Sequence, residues 1–288
     1  MKGLTAALLL CLVLLLATVW LKLQPGRDFA VPKAPAADAA HAAAPDPRRE
    51  ALDAARRQGD AAAFDALLAE RRRQLEHPPG DATAMRLYAE ALLERVLLRG
   101  RQRGMDVGAV AYAQLPAAVA ADLDAAQHWL RRARELGDDS ADNWRLEAAV
   151  LGNRITGLAE ALQWNGAIEA DLAKAFAKDP DDPRLHVALG LRRLLAPRML
   201  GHDPQKALEH FQFAAQALPG DERPRVFAAM AAWLLRKRQQ AIQWLEQASA
   251  QNPANEYAAV VLQRLRRDEP MPFARDVTAA EAAAARVH

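Results

Sequence analysis

One spacing recurs four times in the second half of the chain. Ala126, Ala133 and Asp138 stand at offsets of 0, 7 and 12. Ile168, Ala175 and Pro180 keep the same offsets, as do Ala207, Ala214 and Pro219, and again Ala241, Ala248 and Pro253. Residues seven apart lie two turns apart on one face of a helix, so small residues there let a neighbouring helix approach closely. A proline five positions later falls just past the helix end, or stops it. Each set sits in an apolar-periodic segment and is followed by a polar or proline-bearing turn. A second helical pattern then follows, with inward positions such as Trp144, Leu146 and Val150; Leu185, Val187 and Leu191; Val226, Phe227, Met230 and Leu234; and Tyr257, Val261, Leu262 and Leu265. A single hairpin of this kind cannot bury its apolar faces alone, so the pattern requires a stack.

Successive copies are separated by 42, 39 and 34 residues. Together with the paired small residues of one helix and the proline between copies, this resembles the tetratricopeptide repeat, whose period is about 34 residues. Gly190 falls in the 186–191 stretch where that family often carries Leu-Gly; the matching stretch 227–233 has Ala228 and Ala229 instead. The two longer intervals require insertions of about eight and five residues relative to that period. The resemblance covers roughly 122–268 and implies an all-α, helical-hairpin solenoid, assigned to 119–268. It also implies a concave groove suited to a peptide, a helix or another protein. Residues 48–118 read as further helices and degenerate repeats, with Phe64, Leu67, Leu68 and Leu75 on one inward face and Leu87, Tyr88, Leu92, Val96 and Leu97 on the next. An irregular loop is expected at 99–116, and a capping helix or frayed tail at 269–288.

The N-terminal part differs. Residues 3–21 carry no charge, and Lys22 closes the run. As a helix these residues span about 28 Å, near the thickness of a bilayer core. The segment lacks a small-x-small cleavage site directly after its apolar run, and Cys11 follows three leucines rather than a lipobox. Residues 1–23 are therefore expected to be an uncleaved transmembrane anchor, and the Ala/Pro-rich residues 24–47 a tether. The short N-terminal tail before a single span resembles a common bacterial inner-membrane arrangement, with the soluble part in the periplasm.

Composition narrows the function classes. The hydrophobic fraction of 51% is mostly alanine and leucine, and aromatics make up only 6%, which favours helix over sheet. The net charge of +2 lacks the imbalance of a nucleic-acid binder, and no nucleic-acid partner is expected. The short basic runs at 71–73, 99–103 and 236–238 read as solvated helix faces and ends. A single cysteine excludes internal disulfides and cysteine metal clusters. No HExxH, Walker loop, GxGxxG or serine nucleophile elbow occurs. His202 and His210, eight apart, form at most a rudimentary ligand pair with Asp203 or Glu209. Neither an enzyme nor a cofactor is expected.

The insertions are the places where a stack of generic repeats would carry specificity. The first, between Trp144 and Trp164, reads as one long helix with a mild break at 154–157. The second, at 196–204, reads as a loop in which Asp203 caps the next helix and Pro204 starts it. Arg154, Trp164, Arg198 and His202 are the candidate groove or loop contacts. The expected function is a non-catalytic protein-binding scaffold of the cell envelope, an assembly or chaperone-like adaptor. The layout also resembles membrane-anchored repeat proteins of cytochrome c maturation. The alternative is a solute-binding or accessory component of a transport system, which would need a cavity rimmed by Arg154, Trp164 and Arg198. Self-association through end repeats is a further expectation.

Overall fold

In the computed structural model the described residues are 27–32, 47–58, 61–75, 81–101, 115–273 and 277–285. They form twelve α-helices and no strand: α1 (Pro47–Gln58), α2 (Ala61–Leu75), α3 (Ala82–Arg101), α4 (Ala117–Glu135), α5 (Ala141–Asn153), α6 (Leu158–Lys178), α7 (Pro183–Leu195), α8 (Pro204–Ala217), α9 (Arg223–Leu234), α10 (Arg238–Gln251), α11 (Glu256–Arg266) and α12 (Ala279–Ala285). Among the described residues no helix is long and apolar enough to cross a membrane. The expected anchor at 3–21 lies outside the described residues, as do most of the tether and residues 102–114 of the expected irregular loop.

The helices pack in sequence-adjacent pairs, α3 with α4, α5 with α6, α7 with α8 and α9 with α10, and α8 also packs closely on α9. The connections within the pairs α5–α6, α7–α8 and α9–α10 are short, which makes those neighbours antiparallel. The first members, α3, α5, α7 and α9, also touch one another in order and so form a row. The registered small residues explain the tightness: Ala126, Ala133, Ala175, Ala207, Ala214, Ala241 and Ala248 are all fully buried. Gly190 has a specific reason to lack a side chain. A Cβ there would lie 2.5 Å from the ring of Phe211 on α8, so the ring occupies the space that any other residue would fill.

The helix ends follow from local chemistry. Ser140, Asp182, Asp203 and Asn255 accept backbone N–H bonds at the starts of α5, α7, α8 and α11. Pro183 and Pro204 occupy first-turn positions. Gly137, at φ 94°, turns the chain after α4, where the Asp138 N–H bonds back to the Ala133 carbonyl.

The longest repeat interval resolves differently from the single broken helix expected. Residues 154–157 are a true helix end, and the extra length goes into α6, which has 21 residues against 14 in α8 and in α10. The next interval holds its surplus in the 196–203 connection, a short 3-10 turn at Arg198–Leu200 with Gly201 at φ 97°. At the C-terminal end, Thr278 and Glu281 bond reciprocally at the start of α12, and Glu281 pairs at 3.1 Å with Arg264, itself buried on α11. Helix α12, within the 269–288 stretch expected as a cap or frayed tail, thus packs on α11.

Two N-terminal segments lie against the stack. Helix α1 crosses the row of first helices. Residues 27–32, part of the stretch expected as a tether, lie against α6, α7 and α8: Phe29 packs on Phe176 at 5.1 Å between ring centroids, and the Arg27 N–H donates to Glu169 at 3.0 Å.

Candidate functional site

Helix α1 lies across the row of α3, α5, α7 and α9. Arg49, Asp53 and Arg56 stand at i, i+4 and i+7 and therefore share one face of α1, a helix about 18 Å long. Each meets a different part of the row. Arg49 donates to Glu90 of α3 at 3.0 Å and to Asp142 of α5 at 2.9 Å. Asp53 lies 3.8 Å from Arg184 of α7. Arg56 lies 3.3 Å from Asp221 and 3.4 Å from Glu222, where α9 begins. Beyond it, Asn252 donates to the Arg57 carbonyl at 3.3 Å. Leu52 and Ala55, also buried, join the apolar core shared by Phe64, Leu68, Tyr88 and Leu92.

The helices that α1 crosses are themselves cross-linked by charge. Arg145 donates to Asp142 at 2.6 Å and to Glu90 at 3.2 Å. Arg86 pairs with Asp138 and Asp142. Arg223 of α9 reaches Glu94 of α3 at 2.5 Å across 129 residues of sequence, so the stack curves until its first and fourth pairs meet. Glu222 is fully buried and also accepts bonds from Asn252 and Asn255 at 3.1 Å each.

Burial works to raise these carboxyls, and the arginines overcome it. Arg145, Arg49 and Arg86 hold Asp142 well below the usual carboxylate range, while Arg49 and Arg145 do the same for Glu90. Arg223 and Arg56 lower Asp221, and Arg56 lowers Glu222. For Asp53 burial wins over Arg56 and Arg184, and its carboxyl is raised. The fit of α1 is incomplete: the buried Arg56 Nε and Glu90 Oε2 have no hydrogen-bond partner among the described residues. An unmet buried polar group costs about 1–3 kcal/mol.

The four contacts picked from sequence do not converge. Arg154 ends α5 and donates to Asp124 of α4 at 2.7 Å. Trp164 packs half-buried on the cluster of Ile168, Leu172 and Leu185. Arg198 is exposed on the short 3-10 turn, and His202 is half-buried in the same connection. The two insertions are nevertheless joined, because Arg192 donates both to Asn165 of α6 and to the Leu200 carbonyl. An open cleft of about 470 Å³ lies elsewhere, at the starts of α5 and α7, lined by Asp139, Asp142, Lys178, Asp179 and Asp182 among others.

The structure also places groups that spacing did not single out. His210 meets His186, Nδ1 to Nδ1, at 2.8 Å. His186 Nε2 is 2.9 Å from the Pro180 carbonyl. It must donate there, which leaves its Nδ1 to accept from His210. Burial, then His186 and Arg193, push His210 down to about 3. Among the described residues no group of three or more His, Cys, Asp or Glu could hold a metal ion. Arg71, expected on a solvated face, is buried and donates to the Arg48 carbonyl.

Comparison of the chain with protein-family models and with curated proteins returns no match.

Proposed function

We propose that the chain is a non-catalytic, protein-binding scaffold of the tetratricopeptide-like kind, whose groove recognises a helical segment of a partner. The observation that carries this reading is α1 itself. A helix of the same chain lies across α3, α5, α7 and α9 and is read by three side chains, Arg49, Asp53 and Arg56, at successive positions along the row. A groove that holds one helix by a face of alternating charge has the chemistry to hold another. The unmet Arg56 Nε and Glu90 Oε2 leave room for a partner helix to bind better than α1 does.

In this reading residues 3–21 anchor the scaffold in a bacterial inner membrane and the stack faces the periplasm, where an assembly or chaperone-like adaptor would meet its clients. The solute-binding alternative required Arg154, Trp164 and Arg198 around one cavity, and their separate surroundings favour the scaffold.

The test is crosslinking in membranes that compares the native chain with an Arg49→Ala/Arg56→Ala variant, in which α1 is loosened. The scaffold reading expects defined protein adducts that increase in the variant. Recovery of no protein adduct from either form would refute it.

A further inference from the structure

We propose that α6, α7 and α8 form a second peptide site, separate from the groove, which takes an extended segment bearing an acidic residue followed by an aromatic one. The chain's own residues 27–32 fill it in cis.

The site reads backbone and side chains together. Glu169 accepts the Arg27 N–H at 3.0 Å, and the Arg193 guanidinium donates to the Arg27 carbonyl. A donor and an acceptor are thus set for both backbone polar groups of one residue in a non-helical segment, which is how a site holds a peptide irrespective of sequence. Selectivity comes from the next two positions. Asp28 pairs with Lys206 and lies 3.9 Å from Arg193; the Lys206 bond is the main cause of its lowered pKa. Phe29 lies half-buried on Phe176, against the apolar cluster that contains Ile168, Leu172 and Trp164.

These side chains are held in place by neighbours other than the peptide. Arg192 pairs with Glu169 at 2.9 Å. Arg193 also donates to the Gly201 carbonyl, and its own carbonyl accepts the Asp203 N–H. The two insertions in the repeat spacing flank the site, on α6 and in the 196–203 connection. Phe29 is the only Phe, Tyr or Trp between residues 24 and 47, and it is the one seated here. The surroundings therefore suit a protein partner that presents an Asp-Phe-like pair in an extended segment. Such a partner would compete with residues 27–32.

A tethered segment is present at an effective concentration in the millimolar range, so cis occupancy should weaken binding of the same peptide from solution about tenfold or more. The probe is a fluorescent, end-blocked hexapeptide of sequence Arg-Asp-Phe-Ala-Val-Pro, titrated by polarisation into the full chain in detergent micelles. It should saturate an Asp28→Ala/Phe29→Ala variant at about tenfold lower concentration than the native chain. Adding Lys206→Glu, at a partly exposed position, to that variant should abolish binding. Three outcomes would each overturn the proposal: no saturable binding to the Asp28→Ala/Phe29→Ala variant, equal binding to the variant and the native chain, or binding unaffected by Lys206→Glu. Concentration-dependent dimers of the native chain that the double variant abolishes would assign residues 27–32 to a second copy and overturn occupancy in cis. The site lies on the α6–α8 side, so none of these results depends on the groove.

Discussion

Between α8, α9 and α10 the buried surface is apolar and rich in alanine: Ala207, Ala228, Ala231, Ala241 and Leu245 are fully buried, with Phe211 and Met230 among them. Between α1 and the row it crosses, the contact is largely charged: Arg56, Glu90, Arg145 and Glu222 are buried, and Arg49, Asp142 and Asp221 half-buried. The first interface joins neighbours in sequence and works by close approach. The second joins residues 41 to 195 apart and works by paired ions with little freedom to rearrange. Apolar packing tolerates many sequences of the right volume. A buried ion tolerates only its counter-ion, and removing one partner strands the other. The stack is therefore the generic part of the molecule, and the crossing helix the specific part.

That contrast can be broken first at Arg56. Arg56→Met keeps the volume but leaves the buried Glu222 carboxylate without its guanidinium partner, held by Asn252, Asn255 and its own backbone N–H. Stability should fall by about 3 kcal/mol, read by denaturant unfolding, with faster amide exchange in α1. A loss below about 0.5 kcal/mol would mean that the charged seam contributes no more than a surface pair.

The apolar interface is probed at Gly190. A Cβ 2.5 Å from the Phe211 ring must displace it, and overpacking of this kind costs about 1–3 kcal/mol. Gly190→Ala should lower the melting temperature, and Phe211→Leu should recover part of the loss in the double variant. Strict additivity of the two changes would place the ring elsewhere.

The histidine pair sits between the two chemistries: two polar rings inside an apolar stack. His210 has an ordinary value near 6.5 and a folded value of about 3. The unfolded chain therefore takes up a proton that the folded chain refuses. The pair's contribution is complete above pH 6.5 and is lost as pH falls towards 3. Around His210, Asp28 favours the charged form, while Arg193 and Lys206 oppose it. Around His186, Asp179 and Asp181 favour the charged form. Between pH 6.5 and 5.5 the native chain should lose about 1 kcal/mol more than His210→Asn, which keeps a donor without titrating in that range. Parallel stability curves would remove the histidines from the account.

The smallest effect is expected at the rim. Arg48 and Asp81 pair at 2.6 Å but are about half exposed, and Arg48→Ala should cost under about 1 kcal/mol and less still in high salt. A cost equal to that of Arg56→Met would erase the distinction between seam and surface.

The legible parts of this molecule are those built from neighbours. The offsets at Ala126, Ala207 and Ala241 locate α4, α8 and α10, and Asp203-Pro204 marks the start of α8, because spacing along a helix fixes which side chains share a face. The excess in the 42-residue interval was visible as length, but its placement in α6 depends on the helix end at 154–157, which no strong breaker other than Gly157 announces. The seam was not legible. Arg56 and Glu222 lie 166 residues apart, and each taken alone resembles an ordinary solvated charge. The candidates Arg154, Trp164, Arg198 and His202 were chosen for lying in the insertions, and the insertions do flank a site. Its working residues are Glu169, Phe176, Arg193 and Lys206, which sit inside regular helices and carry no irregularity to mark them. The one available signal was Phe29, an isolated aromatic in an Ala/Pro-rich stretch.

The central claim is that α1 lies across the repeat row and is held there by charge. A double-mutant cycle on Arg56→Met and Glu222→Gln, measured by equilibrium unfolding of the full chain, addresses it most directly. Arg56 Nη1 and Glu222 Oε2 are 3.4 Å apart and buried, and the account predicts a coupling of about 1.5 kcal/mol or more. Additive single effects, with coupling under about 0.3 kcal/mol, would contradict it.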